Sequence, residues 1–201
     1  EDDTLLAYND VVAVIVGHKT GLTLGLHGTT LLGLLSATRA EDIDLKVKGS
    51  VATIVGAGRS ELPILDKADF VFSLPEHEPI LSVQLTEEIR HALEVCLISV
   101  AEDSLRPEYN GVTLRVGKSG TVLFSTDNNT ATRFEPLAAK VPARKDAALV
   151  LPKAAADLML KLFQKDSKPK LTISDKIAVV EFGGDPEVTL VTKLLGTPSN
   201  K

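Results

Sequence analysis

Hydrophobic and polar residues alternate in many short runs along the chain, which predicts a protein rich in β-strands. In the clearest run, Val112, Leu114 and Val116 alternate with polar residues. An Asp-Asn-Asn cluster at 127–129 then separates two further strands, and these residue types tolerate the positive φ of a tight corner. The pattern indicates a β-meander in this part of the chain.

Three other segments have the helical period instead. Thr86, followed by two glutamates, is typical of a helix N-cap with acids in the first turn. The predicted helices are residues 29–38, 86–101 and 152–164. Their predicted buried faces are Leu31, Leu34 and Leu35; Ile89, Leu93, Cys96 and Val100; and Ala155, Leu158, Met159 and Phe163.

The remaining strands fall on both sides of a proline-rich linker at residues 66–79. They are predicted at 4–8, 11–16, 22–26, 43–47, 51–55, 60–64, 80–85, 147–151, 170–173, 177–182 and 188–194. Several of these strands are predicted to pair as hairpins, and the helices lie between them. The fold class is therefore α+β.

An internal repeat relates the two sides of the linker. Leu45, Val47 and Val51 match Leu171, Ile173 and Ile177 at one constant offset. The order strand, helix and three strands occurs in both segments, but only the second is preceded by a further strand, helix and strand. The sequence thus predicts one and a half copies of a duplicated unit, with the opening half of the first copy missing.

Composition excludes several classes of protein. With 201 residues, 44% hydrophobic and 24% charged, the chain can bury a core. The net charge of -5 argues against binding nucleic acid over the whole surface. A single cysteine, Cys96, excludes an internal disulfide and fits a reducing compartment, and no apolar run is long enough to span a membrane. The chain begins without an initiator Met, so we consider that it is a piece of a longer protein.

Four sequence features resemble the middle domain of the bacterial DNA sliding clamp, the β subunit of DNA polymerase III. They are the run Arg106-Pro107-Glu108-Tyr109-Asn110-Gly111-Val112, the Ser125-Thr126-Asp127 corner, Leu151-Pro152-Lys153 at the start of a helix, and the ending Lys193-Leu194-Leu195-Gly196. Ser60-Glu61-Leu62-Pro63 with Ala68-Asp69-Phe70 is similar to the end of the first domain of that family. The resemblance covers nearly the whole chain in the family's order.

The resemblance implies a DNA-clamp fold, with antiparallel sheets outside and helices on one face lining a hole for duplex DNA. Residues 1–74 would then be the second half of a clamp domain, and residues 75–201 a complete middle domain. Such a ring holds a polymerase on its template and has no catalytic centre or cofactor. The chain is then either a fragment of a three-domain clamp or a reduced relative.

The resemblance also implies partners: duplex DNA bound without regard to sequence, peptides of the polymerase and clamp loader, and further copies of the chain if it is complete. We expect a cytoplasmic protein with no membrane contact. The alternative is a clamp-fold module that binds proteins and no longer binds DNA.

Basic residues on and after the third predicted helix are the candidate DNA contacts. They share one side of the helix at spacings of about four residues. This pattern is equally typical of an ordinary solvated face. The resemblance to the clamp family is the reason to expect that this face contacts DNA phosphates. The second helix is a poor phosphate site because glutamates surround its two basic residues. The expected DNA-binding residues are Arg90, His91, Arg106, Lys153, Lys161, Lys165 and Lys168.

In the family, partner peptides insert an apolar side chain into a groove beside the corner after the Thr-Asp pair. The matching residues here are Tyr109, Thr126, Asn128, Asn129, Thr130 and Ala131. The family usually has Gly-His-Arg-Leu where this chain has Asn-Asn-Thr-Ala at 128–131, and without the large aliphatic residue a ligand loses roughly 1.5–3 kcal/mol of burial. Asn128 and Asn129 equally suit a plain turn.

No enzyme is predicted. The glycine-rich run at 56–60 lies between two strands rather than before a helix, so it lacks the amide cradle of a phosphate loop. His77 has no partner at metal-ligand spacing, and Cys96 lies on the predicted buried face of a helix. We expect no catalytic residue and no metal site.

Overall fold

The computed structural model describes residues 4–40, 42–56, 58–70, 72–73, 78–102, 105–117, 120–135, 147–164 and 168–196. The strands are β1 Thr4–Tyr8, β2 Val12–Gly17, β3 Asp44–Lys48, β4 Val51–Val55, β5 Arg59–Pro63, β6 Leu81–Gln84, β7 Gly111–Gly117, β8 Gly120–Thr126, β9 Ala131–Phe134, β10 Ala147–Pro152, β11 Lys170–Ile173, β12 Ile177–Phe182 and β13 Val188–Lys193, and the helices are α1 Gly28–Ala37, α2 Glu87–Leu97 and α3 Lys153–Leu162. Single 3₁₀ turns form at Lys67–Asp69 and Pro107–Tyr109. The fold class is α+β, as the sequence predicts.

The chain divides into two compact units. The larger unit combines Glu1–Lys19 with Glu76–Lys201, and the smaller unit is Thr20–Pro75. In the described ranges, no helix is long and apolar enough to cross a membrane.

A six-stranded antiparallel sheet in the larger unit has the order β1-β2-β13-β12-β11-β6. The N-terminal strands join the C-terminal ones in this sheet because β2 pairs with β13, from Val12 opposite Thr192 to Val16 opposite Val188. Leu190, at the centre of β13, is completely buried. The first two strands of the described chain and its last strand are therefore parts of one sheet.

The second sheet of the larger unit has four antiparallel strands in the order β10-β7-β8-β9. Gly111 begins β7, opposite Pro152 at the end of β10. A Cβ built on Gly111 would lie 2.1 Å from the carbonyl oxygen of Leu151, closer than two such atoms can approach. Glycine is the residue that permits this pairing.

Helices α2 and α3 pack against each other and contribute to one hydrophobic core with both sheets. Leu93 and Cys96 of α2 and Met159 of α3 are almost completely buried. Burial of each large apolar side chain contributes about 1.5–3 kcal/mol. The Ile89 amide donates to Thr86 Oγ1 at 3.4 Å, so Thr86 is the N-cap that the sequence predicts.

Helix α2 ends at Leu97, four residues earlier than predicted. Its last turn is held by hydrogen bonds to the four-stranded sheet instead of by further helix. Ser125 Oγ donates to the Cys96 carbonyl, and Ser99 Oγ lies 2.7 Å from Thr132 Oγ1. These bonds fix the chain direction after the helix.

The smaller unit contains a three-stranded antiparallel sheet, β3-β4-β5, together with α1. Ala52, Ile54 and Leu62 are buried in it. None of the ten residues of α1 is buried, and Leu32 is 66% exposed. The predicted apolar face of α1 is therefore only partly covered.

Strand pairing in the two units repeats with the same register. Leu45 lies opposite Ile54 in β3 and β4, and the matching residues Leu171 and Val180 lie opposite each other in β11 and β12. The sequence repeat is thus a repeat of hydrogen-bonded pairs.

The β1–β2 hairpin and the β8–β9 hairpin are matched in the same way. Leu5 lies opposite Val16, and the matching Leu123 lies opposite Phe134. The corners between these strands also agree: Asp10 and Asn128 are the non-glycine residues with positive φ, at 68° and 81°, in the described part of the chain.

One further prediction differs from the structure. The segment 22–26 forms only an isolated bridge, between Gly25 and Leu65, because no neighbouring strand pairs with it. The predicted domain bounds, residues 1–74 and 75–201, stay a prediction; strand β2 of the first range pairs with β13 of the second.

Candidate functional site

The corner at Thr126–Ala131 is closed by its own hydrogen bonds. Asp127 Oδ1 accepts from the amides of Asn129 at 2.9 Å and Thr130 at 2.6 Å, and from Thr130 Oγ1 at 3.0 Å. Thr126 Oγ1 donates to the Thr130 carbonyl at 2.7 Å. The hydrogen bond from the Thr130 amide, followed by those from the Asn129 amide and the Thr130 hydroxyl, holds the pKa of Asp127 below its usual value.

The side chains of this corner are polar and point to solvent. Asn128, Asn129, Thr130 and Ala131 are exposed, and Thr126 is half-buried. The plain-turn interpretation of the two asparagines therefore accounts for their geometry. The corner offers amide and hydroxyl groups to a partner, and no large apolar side chain.

The predicted partner residues lie at one end of the four-stranded sheet. Tyr109 comes two residues before β7, Thr126 is the last residue of β8 and Ala131 the first of β9. In an antiparallel sheet the start of one strand lies beside the end of the next. The topology thus places Tyr109 at the same sheet end as the corner.

Tyr109 is half-buried and held by Arg106. The guanidinium of Arg106 donates to the Tyr109 hydroxyl at 3.0 Å and lies 5.5 Å from the centre of its ring. The Ala101 amide donates to the Tyr109 carbonyl at 2.9 Å. Arg106 is thus a neighbour of the predicted partner residues, although we predicted it as a DNA contact.

The predicted basic residues of α3 occupy different environments. Lys153 begins the helix, and its Nζ lies 3.5 Å from Glu102 Oε1. Lys161 is exposed in the last turn, and Lys168 is exposed just before β11. Lys165 lies outside the described residues. Lys161 and Lys168 are therefore the described members of this set that face solvent most openly.

The basic residues of α2 are engaged with glutamates. Arg90 Nε donates to Glu87 Oε1 at 2.6 Å, and Arg90 Nη1 lies 3.8 Å from Glu94 Oε2. His91 Nδ1 is 3.6 Å from the same Glu94 atom, and its ring meets Phe134 edge-on at 5.6 Å. A phosphate would have to displace these carboxylates, as the sequence led us to expect.

The charges on the three helices nearly cancel. In α2 three glutamates oppose Arg90, which gives -2 with His91 neutral. In α3 two lysines oppose Asp157, which gives +1, and α1 carries no charged residue. Asp157 was visible in the sequence at four residues from each lysine, whereas nothing in the sequence indicated Glu102 as the partner of Lys153.

No group of three or more His, Cys, Asp or Glu side chains is placed to hold a metal ion in the part of the chain that the structure describes. Cys96 is completely buried, and burial raises its thiol pKa to about 11, with a small opposing effect of the hydrogen bond from Ser125. A neutral thiol at this depth is a core side chain, as predicted.

Comparison with known proteins gives matches in structure but not in sequence. No family model matches the chain, and no curated protein matches it. Solved structures do match: the Helicobacter pylori β clamp bound to a DNA ligase peptide is 19% identical, with a TM-score of 0.77 over 98% of this chain and 57% of the clamp.

Two Pseudomonas aeruginosa structures give the same result. The DNA polymerase III subunit β is 16% identical with a TM-score of 0.75, over 95% of this chain and 53% of that one. The sliding clamp bound to griselimycin is 16% identical with a TM-score of 0.77, over 98% and 55%. The chain spans slightly more than half the length of the clamps it matches.

The protein therefore has the DNA-clamp fold, as its sequence motifs led us to expect. Within that class, its architecture is similar to that of the bacterial β clamp.

Proposed function

We propose that the protein is a sliding-clamp-like scaffold that encircles duplex DNA and holds replication proteins, such as a DNA polymerase, on it in the cytoplasm. The observation that carries this proposal is the match of 98% of the chain to bacterial β clamps at a TM-score of 0.77. In this proposal residues 1–74 are the second half of a clamp domain, residues 75–201 are a complete one, and further copies of the chain complete the ring.

Contacts to DNA would come from the exposed lysines after the middle of α3. Lys161 and Lys168 can approach phosphates without losing a described carboxylate partner, whereas Arg90 and Lys153 cannot. Because few such lysines are present, we expect weak and strongly salt-dependent binding. Retention on DNA would then depend on topology more than on affinity.

The sheet end with Tyr109 and the corner Thr126–Ala131 is the proposed partner surface. A clamp of this fold binds a DNA ligase peptide, which shows that the fold can hold peptides. The polar corner favours a partner peptide that donates and accepts hydrogen bonds there, because no described corner residue offers a large apolar side chain.

Retention on a nicked circular duplex tests the proposal. The whole chain should stay on the circle through gel filtration and be lost when the circle is cut to a linear form. Lys161→Glu should lower binding at low salt and reduce the slope of log binding constant against log salt by about one unit. Lys46→Glu, which changes another exposed lysine, is the matched control and should leave both unchanged. Equal loss from circle and linear DNA would contradict encirclement.

A second function is favoured by the charges of the helices. Their described side chains sum to a slightly negative charge, which suits a protein-binding module that has lost DNA contact. Such a module would ignore both DNA forms and would be indifferent to Lys161→Glu, yet would still bind partner peptides at the corner.

A further inference from the structure

We propose that Asn110 is a site of spontaneous deamidation, which the native hydrogen bonds at the start of β7 hold back and which local opening there releases. No other asparagine of the chain is followed by glycine. The reacting groups are the side-chain amide of Asn110, the backbone nitrogen of Gly111 and water. The inference goes beyond the proposed function and does not depend on it.

The reaction needs no enzyme and no oxidant. The Gly111 nitrogen loses its proton to solvent and attacks Cγ of Asn110, so an N–Cγ bond forms and the Cγ–Nδ2 bond breaks. Nδ2 takes up a proton from solvent and leaves as ammonia. Water then opens the cyclic imide. Opening at Cγ gives aspartate, and opening at the main-chain carbonyl gives isoaspartate, in which the chain runs through Cβ and Cγ.

Strand pairing requires the glycine that makes this asparagine reactive. A Cβ built on Gly111 would meet the Leu151 carbonyl oxygen and would also lie 2.9 Å from Val150 Cγ1. The same missing side chain leaves the Gly111 nitrogen unobstructed for ring closure. The fold therefore cannot remove the reactive pair by exchanging its glycine.

The native backbone of Asn110 is turned away from ring closure. Its ψ is 21°, so the Gly111 nitrogen nearly eclipses the Asn110 nitrogen. A five-membered imide requires the Gly111 nitrogen to lie over Cβ instead. The necessary rotation about the Cα–C bond would turn the Asn110 carbonyl away from the Lys153 amide, which donates to it at 3.0 Å.

The turn before Asn110 opposes the same rotation. The Asn110 amide donates to the Pro107 carbonyl at 3.0 Å, and the Tyr109 carbonyl accepts from the Ala101 amide at 2.9 Å. Asn110 is half-buried and Gly111 is buried. Ring closure therefore requires local opening of this turn together with the start of α3. The Lys153–Asn110 hydrogen bond joins the two and controls the opening.

Both products alter the structure at this point. Aspartate adds a negative charge next to Tyr109, whose hydroxyl accepts from Arg106 at 3.0 Å. Isoaspartate lengthens the backbone by one carbon atom between the 3₁₀ turn and β7, so residue 110 and Lys153 lose their native register. Refolding does not reverse either change.

Peptide mass spectrometry of the whole chain, with separation of aspartyl and isoaspartyl products, tests the proposal. The chain is incubated in mildly alkaline buffer with and without urea. In urea Asn110 should convert at the rate of a short peptide of residues 106–114, and without urea more than about tenfold more slowly. Equal rates with and without urea overturn the proposal, and so does earlier conversion at Asn9, Asn128 or Asn129.

Two variants at one position test the controlling hydrogen bond. Lys153→Pro removes the amide that donates to Asn110, at the first helical position, where proline is tolerated. The extended Pro152, with ψ 145°, also permits a following proline. Lys153→Ala keeps the amide and, like the proline variant, loses the ion pair with Glu102. Without urea, Lys153→Pro should convert about two- to tenfold faster than Lys153→Ala, which should match the unaltered chain.

Equal rates in the two variants overturn the role of this hydrogen bond. Circular dichroism reports whether Lys153→Pro retains the fold. If it does not, the unaltered chain in urea below its unfolding transition decides the question. Conversion at Asn110 should then accelerate before the global transition, and a rate that rises only with global unfolding overturns control by local opening.

Discussion

The two copies of the repeat have the same strand register but differ in how deeply their helices are buried. Met159 of α3 is completely buried against α2, whereas Leu34, the seventh residue of α1 as Met159 is of α3, is only half-buried. Register is therefore set by strand pattern and turns, and does not require a packed helix. A full core requires the second helix that only the larger unit has.

The largest expected difference between the copies is the cost of a cavity. Met159→Ala should lower the free energy of unfolding by about 2–5 kcal/mol, because well-packed surroundings cannot collapse into the space. Leu34→Ala should cost less than about 1 kcal/mol, because solvent already reaches that position. Urea unfolding followed by circular dichroism measures both. Equal costs would mean that α1 is packed as firmly as α3.

Replacing a glycine by alanine should have opposite effects on stability in the two units. Gly111→Ala should destabilise the larger unit by about 1–3 kcal/mol, because its new Cβ overlaps the Leu151 carbonyl and separates β7 from β10. Gly33→Ala in α1 should stabilise the smaller unit by about 0.5–1 kcal/mol. A Cβ built on Gly33 has no neighbouring atom within 4 Å outside its own helix backbone and adjacent residues, and alanine has a higher helix propensity than glycine. Thermal unfolding of the two variants shows whether each substitution raises or lowers the melting temperature.

The ionisation of Cys96 affects the stability of the larger unit only, because Cys96 is the single cysteine of the chain and lies in that unit. Its folded pKa of about 11 is above the ordinary value of 9.0, so the folded state holds the proton between these pH values and the unfolded state does not. The contribution of Cys96 to stability should be constant below pH 9 and fall by up to about 2 kcal/mol toward pH 11. The loss should be absent in Cys96→Ala, whose own lower stability should not vary over this range.

The smallest effect should distinguish the two corners. Asn9 Oδ1 accepts from the Val11 and Val12 amides as Asp127 Oδ1 does from Asn129 and Thr130. Because the pKa of Asp127 is lowered, its contribution is present above its ordinary value of 3.8 and is lost as pH falls through the folded value. Protection of the Thr130 amide from exchange, relative to an unstructured amide at the same pH, should fall in acid, whereas protection of the Val12 amide should not change. Asp127→Asn should abolish the difference.

The sequence predicts most strands and all three helices because alternation, caps and turn residues act locally. It fails at residues 22–26, whose strand pattern has no partner to pair with, and at the end of α2, where Ser99 bonds to Thr132 on a distant strand. Locally encoded structure is predictable, and structure that depends on a distant partner is not.

The same rule applies to the candidate site. The corner was predictable because Asp127 and its neighbours satisfy one another within a few residues. The lysine pattern on α3 did not show that Glu102 would neutralise Lys153, because that ion pair joins residues far apart in sequence. Charge patterns therefore identify a face, while the contacts across the fold decide how much of its charge is available.

The pairing of β2 with β13 has a consequence for the order in which the six-stranded sheet can form. Strand β2 lies near the start of the described chain and β13 near its end, so their pairing closes a long loop, and contacts between residues distant in sequence form slowly. The six-stranded sheet can therefore be completed only after β13 has been synthesised. A chain cut before Val188 would lose the strand that joins β2 to β12.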